Sequence, residues 1–135
     1  MKLLLDANIV LELLLEQDRA KEAGELMTRV SDHDFFLTDF AFHSIGIALF
    51  QKRKYDKFIR FVEDMIVNAG TVVAVLQEPD AQQIVSHAQR YTLDFDDAYQ
   101  YTAAEKYELT IVSFDSDFDK TERGRKTPQE VLTSA

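Results

Sequence analysis

The sequence predicts an α/β sandwich with a mostly parallel sheet, and three observations predict it. Short apolar runs at Lys2–Leu5, Phe35–Thr38, Thr71–Leu76 and Leu109–Ser113 read as buried strands. Longer stretches with apolar residues at helical spacing separate them, and strands alternating with helices build parallel sheets through crossover connections. Carboxylates gather where strands are expected to give way to loops or helices, in Lys2–Asp6, Phe36–Asp39, Leu93–Asp97 and Ile111–Asp117. In a parallel sheet the strand C-termini share one rim, so acids far apart in sequence can face one crevice.

Each element follows in order. Lys2–Leu5 is an apolar run closed by Asp6, and helical stretches follow from about Asn8 to Leu15 and from about Asp18 to Val30. Phe35–Thr38 is the second strand. Asp39 is placed to cap a helix towards Phe50, which Gly46 weakens. Tyr55 to Val67 carries Phe58, Ile59, Val62 and Ile66 at helical spacing, and Asn68–Gly70 reads as its stop. The β-branched stretch Thr71–Leu76 is the third strand. Pro79 opens a helix ending near Tyr91, and Asp94 opens the next, through about Tyr107. Leu109–Ser113 is the fourth strand. The tail from Thr121 is expected to hold a short fifth strand and a helical turn at Pro128–Leu132.

A length of 135 residues suggests one domain, residues 1–135, large enough to bury a core. With 46% hydrophobic residues and two prolines the chain falls among ordinary globular domains. The absence of cysteine excludes a disulfide framework, a thiolate nucleophile and a cysteine zinc site, and suits a reducing cytoplasm. Met1–Leu15 mimics the basic start and apolar stretch of an export signal. However, Asp6, Asn8 and Glu12 interrupt every apolar run, so neither an export signal nor a membrane span is expected.

The net charge of −9 argues against holding nucleic acid on a broad basic surface. A nuclease remains compatible with it, because site carboxylates count as negative when a metal is left out of the sum. Basic residues group at Lys52, Arg53, Lys54, Lys57 and Arg60, and again at Arg123, Arg125 and Lys126. Most such groups are solvated helix faces, and contact with phosphate is the alternative.

An apolar strand ending in Asp6-Ala7-Asn8, then Asp97-Ala98 early in a late helix, then a strand leading into Ser113-x-Asp115-x-Asp117-Phe118, resembles the PIN domain family. The resemblance covers almost the whole chain and looks strongest to the VapC-like toxin ribonucleases of bacterial toxin–antitoxin pairs. It implies a three-layer α/β/α sandwich with a mostly parallel sheet of four to five strands. It also implies a cytoplasmic, Mg²⁺- or Mn²⁺-dependent ribonuclease, a homodimer, and a separately encoded antitoxin that inserts a segment into the acidic groove. By position Asp6, Asp97 and Asp115 match the family's catalytic and metal-binding acids, with Asp117 a further metal candidate. Asn8 and Ser113 match polar positions that orient the first acid and the following loop.

Phosphodiester hydrolysis needs an activated water and stabilisation of the leaving oxygen, and one or two divalent ions supply both. Mg²⁺ keeps several waters and takes only one or two carboxylates, so three aspartates suffice for one ion. Two ions about 4 Å apart normally want more bridging carboxylate. Here the chain departs from the family, whose members carry a glutamate in the helix after strand two. No glutamate occurs between Glu25 and Glu63, and the matching positions are His43 or Ser44. Neither replaces a carboxylate's charge.

Each acid also has an ordinary explanation. Asp6 can cap the helix starting near Asn8, Asp94 can cap the helix holding Asp96 and Asp97, and Asp115 and Asp117 can be turn residues. His33 and His87 read as surface or loop residues, and His43, among Phe40, Phe42 and Ile45, as a partly buried structural histidine. Tyr99, Tyr101 and Tyr107 can stack on RNA bases or pack on the sheet. Glu12 and Glu105 are supplementary acids without a place at the rim. Two functions therefore compete: a metal-dependent endoribonuclease, and a degenerate PIN domain that binds protein or RNA without cutting. A receiver-type phosphoryl-transfer protein fits less well, because Gln77, Glu78 and Pro79 follow strand three in place of the nucleophilic aspartate.

Overall fold

The computed structural model describes residues 1–29 and 31–134. Four strands, β1 (Lys2–Leu5), β2 (Asp34–Thr38), β3 (Val72–Ala74) and β4 (Thr110–Val112), pair in parallel in the order β3-β2-β1-β4. Leu4 of β1 stands opposite Phe36 on one side and Ile111 on the other. A parallel sheet needs cover on both faces, so its strands must be apolar at successive positions. The run Leu3-Leu4-Leu5 meets that need: Leu3 and Leu5 face one core, Leu4 the other, and all three are fully buried.

The first face is covered by α1 (Ala7–Leu14), α2 (Ala20–Met27), α3 (Asp39–Gln51), α4 (Tyr55–Phe61) and α7 (Pro128–Thr133). Ile9, Leu26, Ile45, Leu49, Phe61 and Val131 fill that core. The second face is covered by α5 (Ala81–Tyr91) and α6 (Phe95–Tyr107), which pack on each other. Tyr101, Leu109, Ile111 and Phe118 fill the second core. Burying side chains of this size contributes roughly 1.5–3 kcal/mol each, enough to hold the two helical layers on the sheet. The result is the three-layer α/β/α sandwich that the resemblance implies.

Several elements differ from expectation for local physical reasons. The helix expected from Asp18 begins at Ala20, and its expected end, Val30, lies outside the described residues. The helix expected over Tyr55–Val67 changes pitch: after Phe61 it widens into a π-helical stretch, Val62–Asn68, before Gly70 turns the chain at φ +69°. Asp39 does not cap α3. Thr38 does, its Oγ1 accepting from the Ala41 N–H at 2.9 Å, while the Asp39 carboxylate accepts from the Tyr99 hydroxyl at 2.6 Å. Pro79 sits in a 3₁₀ turn, Glu78–Asp80, that leads into α5. The fifth strand reduces to a single parallel bridge between Val112 and Lys126, followed by α7.

His87 is a further correction. It is buried on the inner side of α5, where Nδ1 meets Thr102 Oγ1 at 2.9 Å and Nε2 meets Glu105 at 3.3 Å. The helical spacing that turns Ile84 and Ala88 towards the second core carries His87 inward with them.

Candidate functional site

β1 lies between β2 on one side and β4 on the other, so the chain reverses its direction of sheet growth there and a crevice opens beyond the strand C-termini. Asp6 leaves β1 into this crevice, its backbone N–H donating to Val112 O at 2.9 Å. Its carboxylate accepts from Ser113 Oγ at 2.6 Å. That fully buried hydroxyl also accepts from the Asp115 N–H at 2.9 Å and from Asn8 Nδ2 at 3.4 Å. Asn8 Oδ1 in turn accepts from the Phe114 N–H at 3.4 Å, and Asp115 Oδ1 from the Asp117 N–H at 2.9 Å, opening the 3₁₀ turn Ser116–Lys120. Arg125 ties the far side of the loop: Nη1 donates to Ser113 O at 3.0 Å, while Nε and Nη2 grip Asp119 at 3.0 and 3.2 Å.

Asp97 reaches the same crevice by another route. Leu93–Asp97 joins α5 to α6 and follows no strand, which corrects the expectation of a strand end. Asp94 caps α6, and the Asp97 N–H donates to Asp94 Oδ1 at 3.4 Å and Asp96 Oδ1 at 3.1 Å. The first turn of α6 thereby pushes Asp97 inward, leaving it 9% exposed.

Asp6, Asp97 and Asp115 line one cleft of about 290 Å³ with Asn8, Ser44 and Gln100. Among the described residues no lysine, arginine or histidine lines it. The electrostatics follow. Burial raises the pKa of Asp6, and the charge of Asp115 adds to that, against the hydrogen bond from Ser113. Asp97 is pushed up to about 8, by burial first and then by Asp94, Asp96, Asp115 and Asp6. Like charges brought together out of water disfavour ionisation unless a cation joins them.

The donor set suits a hard divalent cation. Carboxylate oxygens of Asp97, Asp115 and Asp117 lie within 4.8 Å of one another, as do those of Asp94, Asp96 and Asp97. Oxygen-only ligands match Mg²⁺ or Mn²⁺, and among the described lining residues no histidine nitrogen or methionine sulfur competes. Asp6 belongs to neither triplet, yet its charge bears on Asp97 across the cleft. Ser44 faces the cleft where the family glutamate is expected. His43 points away: it is exposed, with its ring edge-on to Phe42 at 5.9 Å, which corrects the expectation of a partly buried histidine.

Other candidates are occupied locally. Glu12 accepts from the Arg19 N–H at 3.2 Å, and Glu105 pairs with His87. Tyr101 is buried, Tyr99 bridges the Leu76 N–H and Asp39, and the Tyr107 hydroxyl donates to Val75 O at 2.8 Å. Sequence reasoning missed Gln100. Its signal was position: three residues after Asp97 on a helix puts both on one face.

An α/β/α sandwich with a carboxylate crevice at the ends of its central strands defines the class. Residues 3–124 match the PIN domain family model, and the chain belongs to the PIN domain family. Among functionally curated proteins none matches the sequence. Solved structures share the fold. A toxin–antitoxin complex from Klebsiella pneumoniae is 20% identical at a TM-score of 0.68, covering 93% of this chain and 96% of its own. FitAcB from Neisseria gonorrhoeae is 20% identical at 0.71, covering 94% and 98%. VapBC2 from Rickettsia felis, bound to a DNA fragment from their promoter, is 10% identical at 0.71, covering 93% and 97%.

Proposed function

We propose that residues 1–135 form one catalytic unit, a Mg²⁺- or Mn²⁺-dependent endoribonuclease that hydrolyses RNA phosphodiester bonds. The observation that carries this reading is the convergence of Asp6, Asp97 and Asp115 on one cleft without a cationic side chain among its described lining residues. Asp6, Asp97 and Asp115, with Asp117 beside them, are the residues that would hold the cation. When bound, it supplies an activated water and charge stabilisation at the leaving oxygen. Ser113 holds the Asp6 carboxylate in one orientation and the Asp115 backbone in another, and Asn8 steadies the loop between them.

The solved toxin–antitoxin complexes that share the fold support placing this chain as the toxin half of such a pair. Its partner in this reading is a separately encoded antitoxin whose inserted arginine satisfies the carboxylates in place of metal. The working form is a cytoplasmic homodimer. Among the described residues no helix is long and apolar enough to cross a membrane.

Ser44, in the cleft where the family carries glutamate, favours a second reading, a PIN domain that binds protein or RNA without cutting. Incubating purified, antitoxin-free protein with a structured RNA pool in Mn²⁺, Mg²⁺ or EDTA separates the two. Metal-dependent cleavage, lost in the Asp6→Asn/Asp97→Asn double variant, supports the nuclease. A well-folded protein that cuts in neither metal sinks it in favour of the binding module.

A further inference from the structure

Gln100 stands one helical turn after Asp97 on α6, lines the acidic cleft and is 5% exposed. Its side chain shares the cleft wall with the Asp6 carboxylate. The amide oxygen has no donor. Gln100 Oε1 is buried without a hydrogen-bond partner among the described residues. Thr71 Oγ1 is the only other described side-chain atom in that condition, and its residue does not line the cleft.

A buried amide oxygen without a donor is costly, because it has given up its water and received nothing in return. The nearby groups on the cleft wall are themselves mainly acceptors, the carboxylates of Asp6, Asp97 and Asp115. What fits an amide oxygen held beside three carboxylates is a hard cation, for which neutral side-chain carbonyls are ordinary ligands.

We infer that Gln100 is a neutral oxygen donor to the divalent-cation site of this cleft, supplying from α6 a ligand atom that Ser44 does not supply from α3. The inference rests on the proposed metal-dependent function. A neutral donor also suits the electrostatics, since it adds a ligand without adding to the repulsion among the acids.

Calorimetric titration of the full chain with Mn²⁺ tests this, comparing wild type, Gln100→Leu and Gln100→Glu, with melting in EDTA as a check that each variant is folded. Wild type should bind, Gln100→Leu should bind at least tenfold more weakly, and Gln100→Glu should bind more tightly. The glutamate variant carries the discrimination, since it loses the amide N–H but keeps a side-chain oxygen at the same position. If it weakens binding as leucine does, the site needs the amide N–H rather than an oxygen and the inference is overturned. Unchanged affinity in Gln100→Leu overturns it too, leaving the metal site intact. Failure of folded wild type to bind Mn²⁺ overturns both the inference and the function on which it rests.

Discussion

Ser113 Oγ donates to Asp6 Oδ2 at 2.6 Å across 107 positions of sequence, and the same oxygen accepts from the Asp115 N–H at 2.9 Å. One buried hydroxyl therefore sets the spacing of two acids that follow different strands. Replacing it leaves Asp6 with less help in remaining ionised, since the Ser113 hydrogen bond opposes the effect of burial. Ser113→Ala should cost about 1–2 kcal/mol of stability, the usual range for a buried partner left unpaired. It should also weaken Mn²⁺ binding about tenfold, a change of about 1.4 kcal/mol. Melting curves and calorimetric titration read both, and an unchanged Mn²⁺ affinity would contradict a positioning role for Ser113.

Asp6→Asn separates a site carboxylate from a structural one. Asparagine keeps the shape and still accepts from Ser113, while it removes a buried charge that Asp97 and Asp115 both oppose. The metal-free protein should melt at the same temperature or higher at pH 8, and Mn²⁺ should no longer raise the melting temperature. A sharp fall in stability with metal binding retained would assign Asp6 to the fold alone.

The parts legible in the sequence were those set by local pattern. Leu3-Leu4-Leu5 is apolar at every position because both faces of β1 are covered, and that continuity reads directly as a parallel strand. Asp94 caps α6 because a short acceptor there can reach the N–H of Asp97, a local rule that needs no tertiary knowledge. Thr38 displaced Asp39 as the cap of α3 for a reason no local pattern contains: Asp39 is engaged by Tyr99, 60 positions away. Gln100 was missed on the same ground. It shares a cleft with Asp6, and only the packing of α6 on the second face of the sheet brings the two together. His87 was misplaced because a polar residue on an amphipathic helix looks exposed until Thr102 and Glu105 of the neighbouring helix are seen to receive it.

Arg125 holds the acidic loop from behind. Its bond to Asp119 is largely solvated, with the aspartate side chain 57% exposed, so that pair adds little to stability. The bond from Nη1 to Ser113 O is the more consequential, because it fixes the backbone that carries Asp115. Arg125→Ala should cost about 1–2 kcal/mol and speed amide exchange at Asp115 and Asp117. Arg125→Lys should restore little, since an ammonium cannot span the carbonyl and carboxylate as the guanidinium fork does. Exchange at both amides matching wild type in the alanine variant would remove Arg125 from the support of the site.

Asp97 should make stability and the proposed metal binding depend on pH in opposite senses. In the metal-free fold its pKa is raised from 3.8 to about 8. Between these values the folded chain holds a proton that the unfolded chain has released, so unfolding gives off a proton and stability falls as pH rises. Its contribution is fully present below about pH 4 and lost once the pH passes about 8. A cation reverses this, because ligation needs the carboxylate and expels the proton, so affinity should climb with pH and level off near 8. Melting of the EDTA-treated protein should therefore decline from pH 5 to 8, while the rise in melting temperature caused by Mn²⁺ grows over the same interval. Asp97→Asn should flatten both profiles. A wild-type melting curve that improves with pH in EDTA would show that Asp97 is ionised without metal, and would place the buried proton on another group.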